Sequence, residues 1–196
     1  MSYHLYGGPR SRAFRVIWML EELGVAYQHS LAGPRSDEVR ALNSSGKIPV
    51  LVVDGTPISD STAILTYLAD RHGAFTAPAG TLDRARQDSL TQRINDEFDA
   101  TLWTASRHSF ILPEEHRVPE VKPSLKWEFA RAAERLAEEM DSPFLMGEEM
   151  TIPDFLLTHC LGWSIVANFG ELPPALRDYL ARMQERPAYI RARATA

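Results

Sequence analysis

The sequence predicts an α/β N-terminal domain followed by an all-α domain, and three observations carry that prediction. The stretch from Gly46 to Leu68 holds an apolar run, a turn, a short second run and then a helical pattern. Ahead of it, short extended runs alternate with helical patterns. Beyond the small-residue, Pro- and Gly-containing segment Phe75 to Thr81, no convincing strand remains.

The elements follow in order. Tyr3 to Tyr6 reads as a strand, broken by Gly7-Gly8-Pro9. From Arg12 the apolar positions Ala13, Val16, Ile17, Leu20 and Leu23 keep helical spacing, and Gly24 ends the helix. Val25 to Leu31 reads as a second strand and Asp37 to Leu42 as a short helix. Val50 to Val53 is a buried strand by its β-branched composition, and Asp54-Gly55 is a two-residue hairpin signal. A helix starts at Ser61, with Ile64, Tyr67 and Leu68 on one face and Gly73 at its end. The order is βαβαββα: a helical crossover implies a parallel first pair, and the tight turn an antiparallel hairpin. That is a thioredoxin-like arrangement, although order alone suits other α/β folds too.

The expected boundaries are an α/β domain over 1–75, a linker over 76–82 and a helical domain over 83–196. Leu82 to Ile111 reads as one long helical segment, kinked or broken near Thr101 to Ser106. Ser124 to Met140 places Leu125, Phe129, Ala132, Ala133, Leu136 and Met140 on one face. Thr151-x-x-Asp154 is a capping-box start for an apolar helix running to Phe169. Pro173-Pro174 starts another helix, and Pro187 a short last one.

Composition narrows the function classes. The net charge of −5 over 196 residues gives no nucleic-acid footprint. The start Met1-Ser2-Tyr3-His4 lacks the basic and apolar regions of a signal peptide, and no apolar run is long enough to span a membrane. The expected location is therefore cytoplasmic. A single cysteine, Cys160, allows neither an intrachain disulfide nor a Cys-cluster zinc site. Together with His159 it reads as core.

Two helix starts invite a functional reading beside a structural one. Asp60-Ser61 is a preferred N-cap. It would equally suit an amino-acid zwitterion, with the carboxylate at the helix N-terminus and Ser61 hydroxyl and the ammonium at Asp60. Ser11 caps the first helix, or it donates its hydroxyl to a bound thiolate in the positive field of that helix start and of Arg10, Arg12 and Arg15. Pro49 supplies no ladder N–H and leaves the Ile48 backbone to pair with an extended peptide.

Gly46-Lys47-Ile48-Pro49-Val50 with Ile58-Ser59-Asp60-Ser61-Thr62-Ala63-Ile64-Leu65 resembles the glutathione-binding half of the glutathione S-transferase family. The loop Gly7 to Val16 and the helix end Leu20-Glu21-Glu22-Leu23-Gly24 are similar to bacterial-type cytosolic members with an activating Ser in a Ser-x-x-x-Arg-Val context. The family more often has Glu where this chain has Asp60. The resemblance implies a cis Pro49, an Ile48 backbone paired with the cysteinyl unit of glutathione, and an Asp60–Ser61 site for the γ-glutamyl group. It implies Ser11 as the thiol-activating residue, with Gly8, Pro9 and Arg10 as alternatives in the same loop, and Arg35 and Lys47 for the glycyl carboxylate. An electrophile pocket between the domains would draw on Gly8, Arg10, Trp103, Arg107 and His108, with Phe110 nearby. Glutathione is then a co-substrate, no metal is implied, and the partners are a small electrophile and a second copy in a homodimer, without nucleic acid or membrane. The expected reaction is conjugation of the glutathione thiolate to an electrophile. The alternatives are a non-catalytic glutathione-binding module, or a glutathione-dependent isomerase or peroxidase on the same scaffold.

Overall fold

The structure is a computed structural model that describes residues 1–195. Four strands form one mixed sheet in the order β2-β1-β3-β4. They are β1 (Tyr3–Tyr6), β2 (Gln28–Ser30), β3 (Val50–Val53) and β4 (Thr56–Ser59). β2 runs parallel to β1, with Leu5 opposite His29. β3 is antiparallel to both β1 and β4, with Leu51 opposite Leu5 on one side and Ile58 on the other. The hairpin turns at Asp54 and Gly55 with φ of 46° and 86°. Two positive values in succession give a type I′ turn, whose twist matches the flanking strands.

Helices α1 (Ala13–Leu23), α2 (Asp37–Leu42) and α3 (Ser61–His72) complete the thioredoxin-like domain. Its core is Leu5 and Leu51 of the sheet with Val16, Ile17 and Leu20 of α1 and Ile64, Leu65 and Leu68 of α3, all fully buried. The second strand is shorter than the expected Val25 to Leu31. Gly24 takes the left-handed conformation, and the Val25 N–H bonds back to the Leu20 carbonyl at 3.3 Å. Val25 thus closes a Schellman-type end of α1 and is not free to extend the sheet.

The remaining helices are α4 (Leu82–Ile94), α5 (Ala100–Ser106), α6 (Lys122–Glu139), α7 (Ile152–Val166), α8 (Pro174–Gln184) and α9 (Pro187–Ala194). The segment from Leu82 to Ile111 is helical throughout, but its irregularities do not lie at Thr101 to Ser106, which is regular α-helix. They are π-helical turns at Asn95–Asp99 and Arg107–Ile111 on either side. Hydroxyls bond back onto carbonyls at both places: Thr101 Oγ1 to Phe98 at 2.8 Å and Ser109 Oγ to Ala105 at 2.7 Å. Such back-bonding competes with the helical ladder and widens it.

By internal packing the chain divides into Met1–Pro78 with the segment from Met183 on, and Ala79–Arg182. The last helix therefore groups with the α/β unit. Tyr189 of α9 packs edge-on against Phe14 and Trp18 of α1, with ring centroids 5.0 and 5.1 Å away. Arg186 donates to both oxygens of Glu22, and Arg191 pairs with Glu21. In the helical unit, α7 begins at the capping box expected from Thr151 and Asp154. Asp154 is fully buried. It accepts from the Thr151 and Leu145 amides at 2.8 and 3.0 Å and from the Tyr179 hydroxyl at 2.8 Å. Burial raises its carboxyl above the ordinary value, while those donors act the other way. Cys160 is buried. Among the described residues no helix is long and apolar enough to cross a membrane.

Candidate functional site

The site-bearing part of the α/β unit begins where β1 ends. Gly7 is buried with φ of 131°, and a Cβ there would come within 2.9 Å of the Ala13 side chain and 3.2 Å of the Ile48 side chain. No L side chain fits this conformation and this gap. The glycine thus brings the loop ahead of α1 directly against Ile48, two segments far apart in sequence. The loop is fixed on its other side as well. Gly7 N–H donates to the Ser30 carbonyl at 3.0 Å, and His29 Nε2 lies 2.8 Å from the Gly7 carbonyl.

Ser11 lies half-buried in the turn that follows. Its hydroxyl donates to the Gly8 carbonyl at 2.7 Å and accepts from the Ala13 N–H at 3.1 Å. The N-cap position of α1 is Arg12, whose side chain makes no cap bond, so Ser11 caps from one residue earlier. Gly8 is half-buried. Arg10 is exposed and makes no side-chain hydrogen bond or ion pair among the described residues.

The Ile48–Pro49 peptide is cis, as the family resemblance implies. Pro49 is buried, and Ile48 lies outside the β3 ladder, just ahead of Val50. Arg35 adopts φ of 67°, and its N–H donates to the Gly46 carbonyl at 2.7 Å. That bond sets Arg35 beside the segment that carries Lys47. The Lys47 carbonyl accepts from Asn43 Nδ2 at 3.0 Å, and the Lys47 side chain is exposed.

Asp60 and Ser61 open α3. Asp60 is exposed, with φ of 76°. Its Oδ1 accepts from the Thr62 and Ala63 amides at 2.8 and 3.2 Å. The cap reading of Asp60 is therefore realised on one oxygen, and Oδ2 accepts nothing among the described residues. Ser61 is only 2% exposed, and its Oγ accepts from Nη1 of Arg15 at 3.2 Å. Arg15 is itself only 1% exposed, although it sits in the first helix. The sequence reading placed Arg15 near Ser11 as one of several cations; its bond to Ser61 was not foreseen. The available signal was a charge set within the apolar run Ala13 to Leu20, where a solvated cation has no place.

The residues expected to meet an electrophile in the helical unit share one stretch. Trp103, Arg107 and His108 are half-buried there, and Phe110 is exposed. Trp103 and Arg107 are one turn apart on α5 and the π-helical turn after it. Arg107 Nη2 donates to Thr104 Oγ1 at 2.9 Å. His108 Nδ1 accepts from the Val118 N–H at 3.0 Å, which leaves the ring proton of the neutral form on Nε2.

A family model described as the glutathione S-transferase N-terminal domain matches residues 10–71, which contain Ser11, Arg15, Ile48, Pro49, Asp60 and Ser61. The glutathione S-transferase GstA of Escherichia coli O157:H7 is 28% identical over 77% of this chain and 74% of its own length. Protein LigF of Sphingobium sp. is 26% identical over 96% of this chain and 91% of its own length. A sphingomonad glutathione S-transferase solved with glutathione superposes with a TM-score of 0.81 at 25% identity, covering 98% of each chain. The matched N-terminal segment, these relatives and a likeness of fold that runs the length of the chain all support a glutathione S-transferase family.

Proposed function

We propose that the protein conjugates the glutathione thiolate to a small electrophilic carbon. Glutathione would lie extended beside Ile48, whose backbone pairs with the cysteinyl unit. Its γ-glutamyl carboxylate would meet the start of α3 and Ser61, and its ammonium the open oxygen of Asp60. Arg35 and Lys47 would hold the glycyl carboxylate. The sulfur then reaches the start of α1, where Ser11 turns its hydroxyl from the Gly8 carbonyl to the thiolate. A free thiol ionises near pH 8.5, so lowering that value by about two units multiplies the thiolate present at neutral pH more than tenfold. Trp103, Arg107 and His108 would receive the electrophile. A homodimer and a cytoplasmic location belong to the same reading.

The observation that carries this reading is the Arg15–Ser61 hydrogen bond. It ties the helix that begins beside Ser11 to the helix start proposed for the γ-glutamyl group. Titration calorimetry with glutathione, then turnover of a chloronitroarene, tests it. Binding is expected, and Ser11→Ala is expected to move the pH–rate profile toward higher pH. An unmoved profile would reject the role of Ser11, and absence of binding would reject the enzyme. LigF is described as a β-etherase, so an aryl ether belongs in the same panel as a second leaving group. Peroxides and maleyl-type acids test the peroxidase and isomerase alternatives.

A further inference from the structure

We propose that Arg15 is a positioning residue for glutathione: by donating to Ser61 Oγ, it leaves the Ser61 hydroxyl proton and amide to the γ-glutamyl carboxylate. This rests on the glutathione reading above and assigns the group that stands behind its carboxylate site. Ser61 is 2% exposed, and Arg15 Nη1 donates to its Oγ at 3.2 Å. A guanidinium has five donors and no acceptor, and it keeps its charge at every accessible pH. Oγ is therefore the acceptor in that bond, and the one hydroxyl proton stays unused. It meets no acceptor among the described residues.

Other buried hydroxyls place their protons within their own helical segment. Thr91 donates to the Gln87 carbonyl, Thr101 to that of Phe98 and Ser164 to that of Leu161, each one turn back. Ser61 is the first residue of α3 and has no helical turn behind it. The backbone shows the same opening. The Asp60 carboxylate takes the Thr62 and Ala63 amides, and the Asp60 carbonyl takes that of Ile64. Of the first-turn donors, the Ser61 amide is left. Buried donors are rarely left unpaired, and two of them on one residue at the positive end of a helix fit the two oxygens of a carboxylate. The exposed Asp60 precedes Ser61 and the half-buried Thr62 follows it, so this helix start borders solvent. Arg15, 1% exposed, lies too deep to meet the ligand itself. It acts through Ser61, because a hydroxyl that accepts from a cation is polarised and donates more strongly to an anion.

The test is calorimetry on the full chain with three peptides. They are glutathione, γ-aminobutyryl-Cys-Gly, which lacks only the α-carboxylate of the γ-glutamyl unit, and glutaryl-Cys-Gly, which lacks only its ammonium. Wild type is expected to hold glutathione about tenfold more tightly than the γ-aminobutyryl peptide, the value of one charged hydrogen-bonded contact. R15M should bring that carboxylate ratio close to one and leave the ratio of glutathione to glutaryl-Cys-Gly unchanged. R15K, which keeps a charged donor, should fall between wild type and R15M. A purely structural Arg15 would weaken all three peptides equally, and two unchanged ratios in R15M overturn the proposal. A wild-type carboxylate ratio near one overturns it too. If R15M does not fold, R15K decides: a carboxylate ratio below that of wild type supports the proposal, and an unchanged one rejects it. Absence of glutathione binding to wild type would reject the glutathione reading and this proposal with it. Tight binding with ratios insensitive to Arg15 would reject this proposal alone.

Discussion

At two helix starts of this protein, those of α3 and α7, an aspartate accepts from backbone amides, and the two do different work. At α7 the carboxylate of Asp154 is fully buried and takes two backbone amides and the Tyr179 hydroxyl. At α3 the carboxylate of Asp60 is exposed and spends one oxygen on two amides of its own first turn. Both satisfy the N-terminal donors of a helix. Burial separates them. A carboxylate shut away with its donors can only hold structure, whereas one facing solvent with an unbonded oxygen keeps the capacity to recognise an ammonium. Ser61 adds to the contrast, since it is buried while the residue before it is open.

Substitutions can break that comparison, beginning with the largest effect. Asp154→Ala strands two amides and a buried phenol, and is expected to destabilise the protein by about 3–5 kcal/mol in urea unfolding. A loss as small as that of an ordinary cap would erase the distinction between the two starts. Ser61→Ala removes the Oγ that accepts from the buried Arg15 guanidinium. It should lower stability by about 1–3 kcal/mol and weaken glutathione binding in calorimetry as well.

Asp60→Ala should cost about 1 kcal/mol in stability, the usual loss of a cap. Asp60→Asn keeps the cap acceptor and sharpens the test. Its stability should stay near wild type while its glutathione dissociation constant rises about tenfold, the effect of one charged contact. Equal affinity for wild type and Asp60→Asn would reduce Asp60 to a cap. The smallest change sets the floor. Arg86 pairs with Asp83 on α4 with both side chains about 70% exposed, so Arg86→Ala should alter stability by less than about 0.5 kcal/mol.

Much of this architecture was legible in the sequence because its signals are local. Asp54-Gly55 announces a turn whose two residues both need positive φ, Gly24 and Gly73 mark helix ends, and Thr151 to Asp154 forms its box within four residues. The positions of Ile48, Pro49, Asp60 and Ser61 were legible through the family motif they carry. The Arg15–Ser61 bond was not, because it joins residues 46 positions apart and depends on how α1 and α3 pack. The π-helical turns were missed for another reason. Apolar spacing around them hardly changes, while the hydroxyls of Thr101 and Ser109 alter the ladder. Val25 looks like a strand residue and ends up capping a helix, since backbone bonding outweighs β propensity there.

The cover that α9 lays over α1 has a consequence for biosynthesis. Trp18 and Phe14 are shielded by Tyr189, and Glu21 and Glu22 are held by Arg191 and Arg186, so the helix that starts beside Ser11 is finished by residues that stand 164 or more positions further along the chain. Domains fold as units, and contacts between distant parts of a chain form late. The α/β unit, although its strands are synthesised first, stays open on one side until α9 has been made and has packed onto α1.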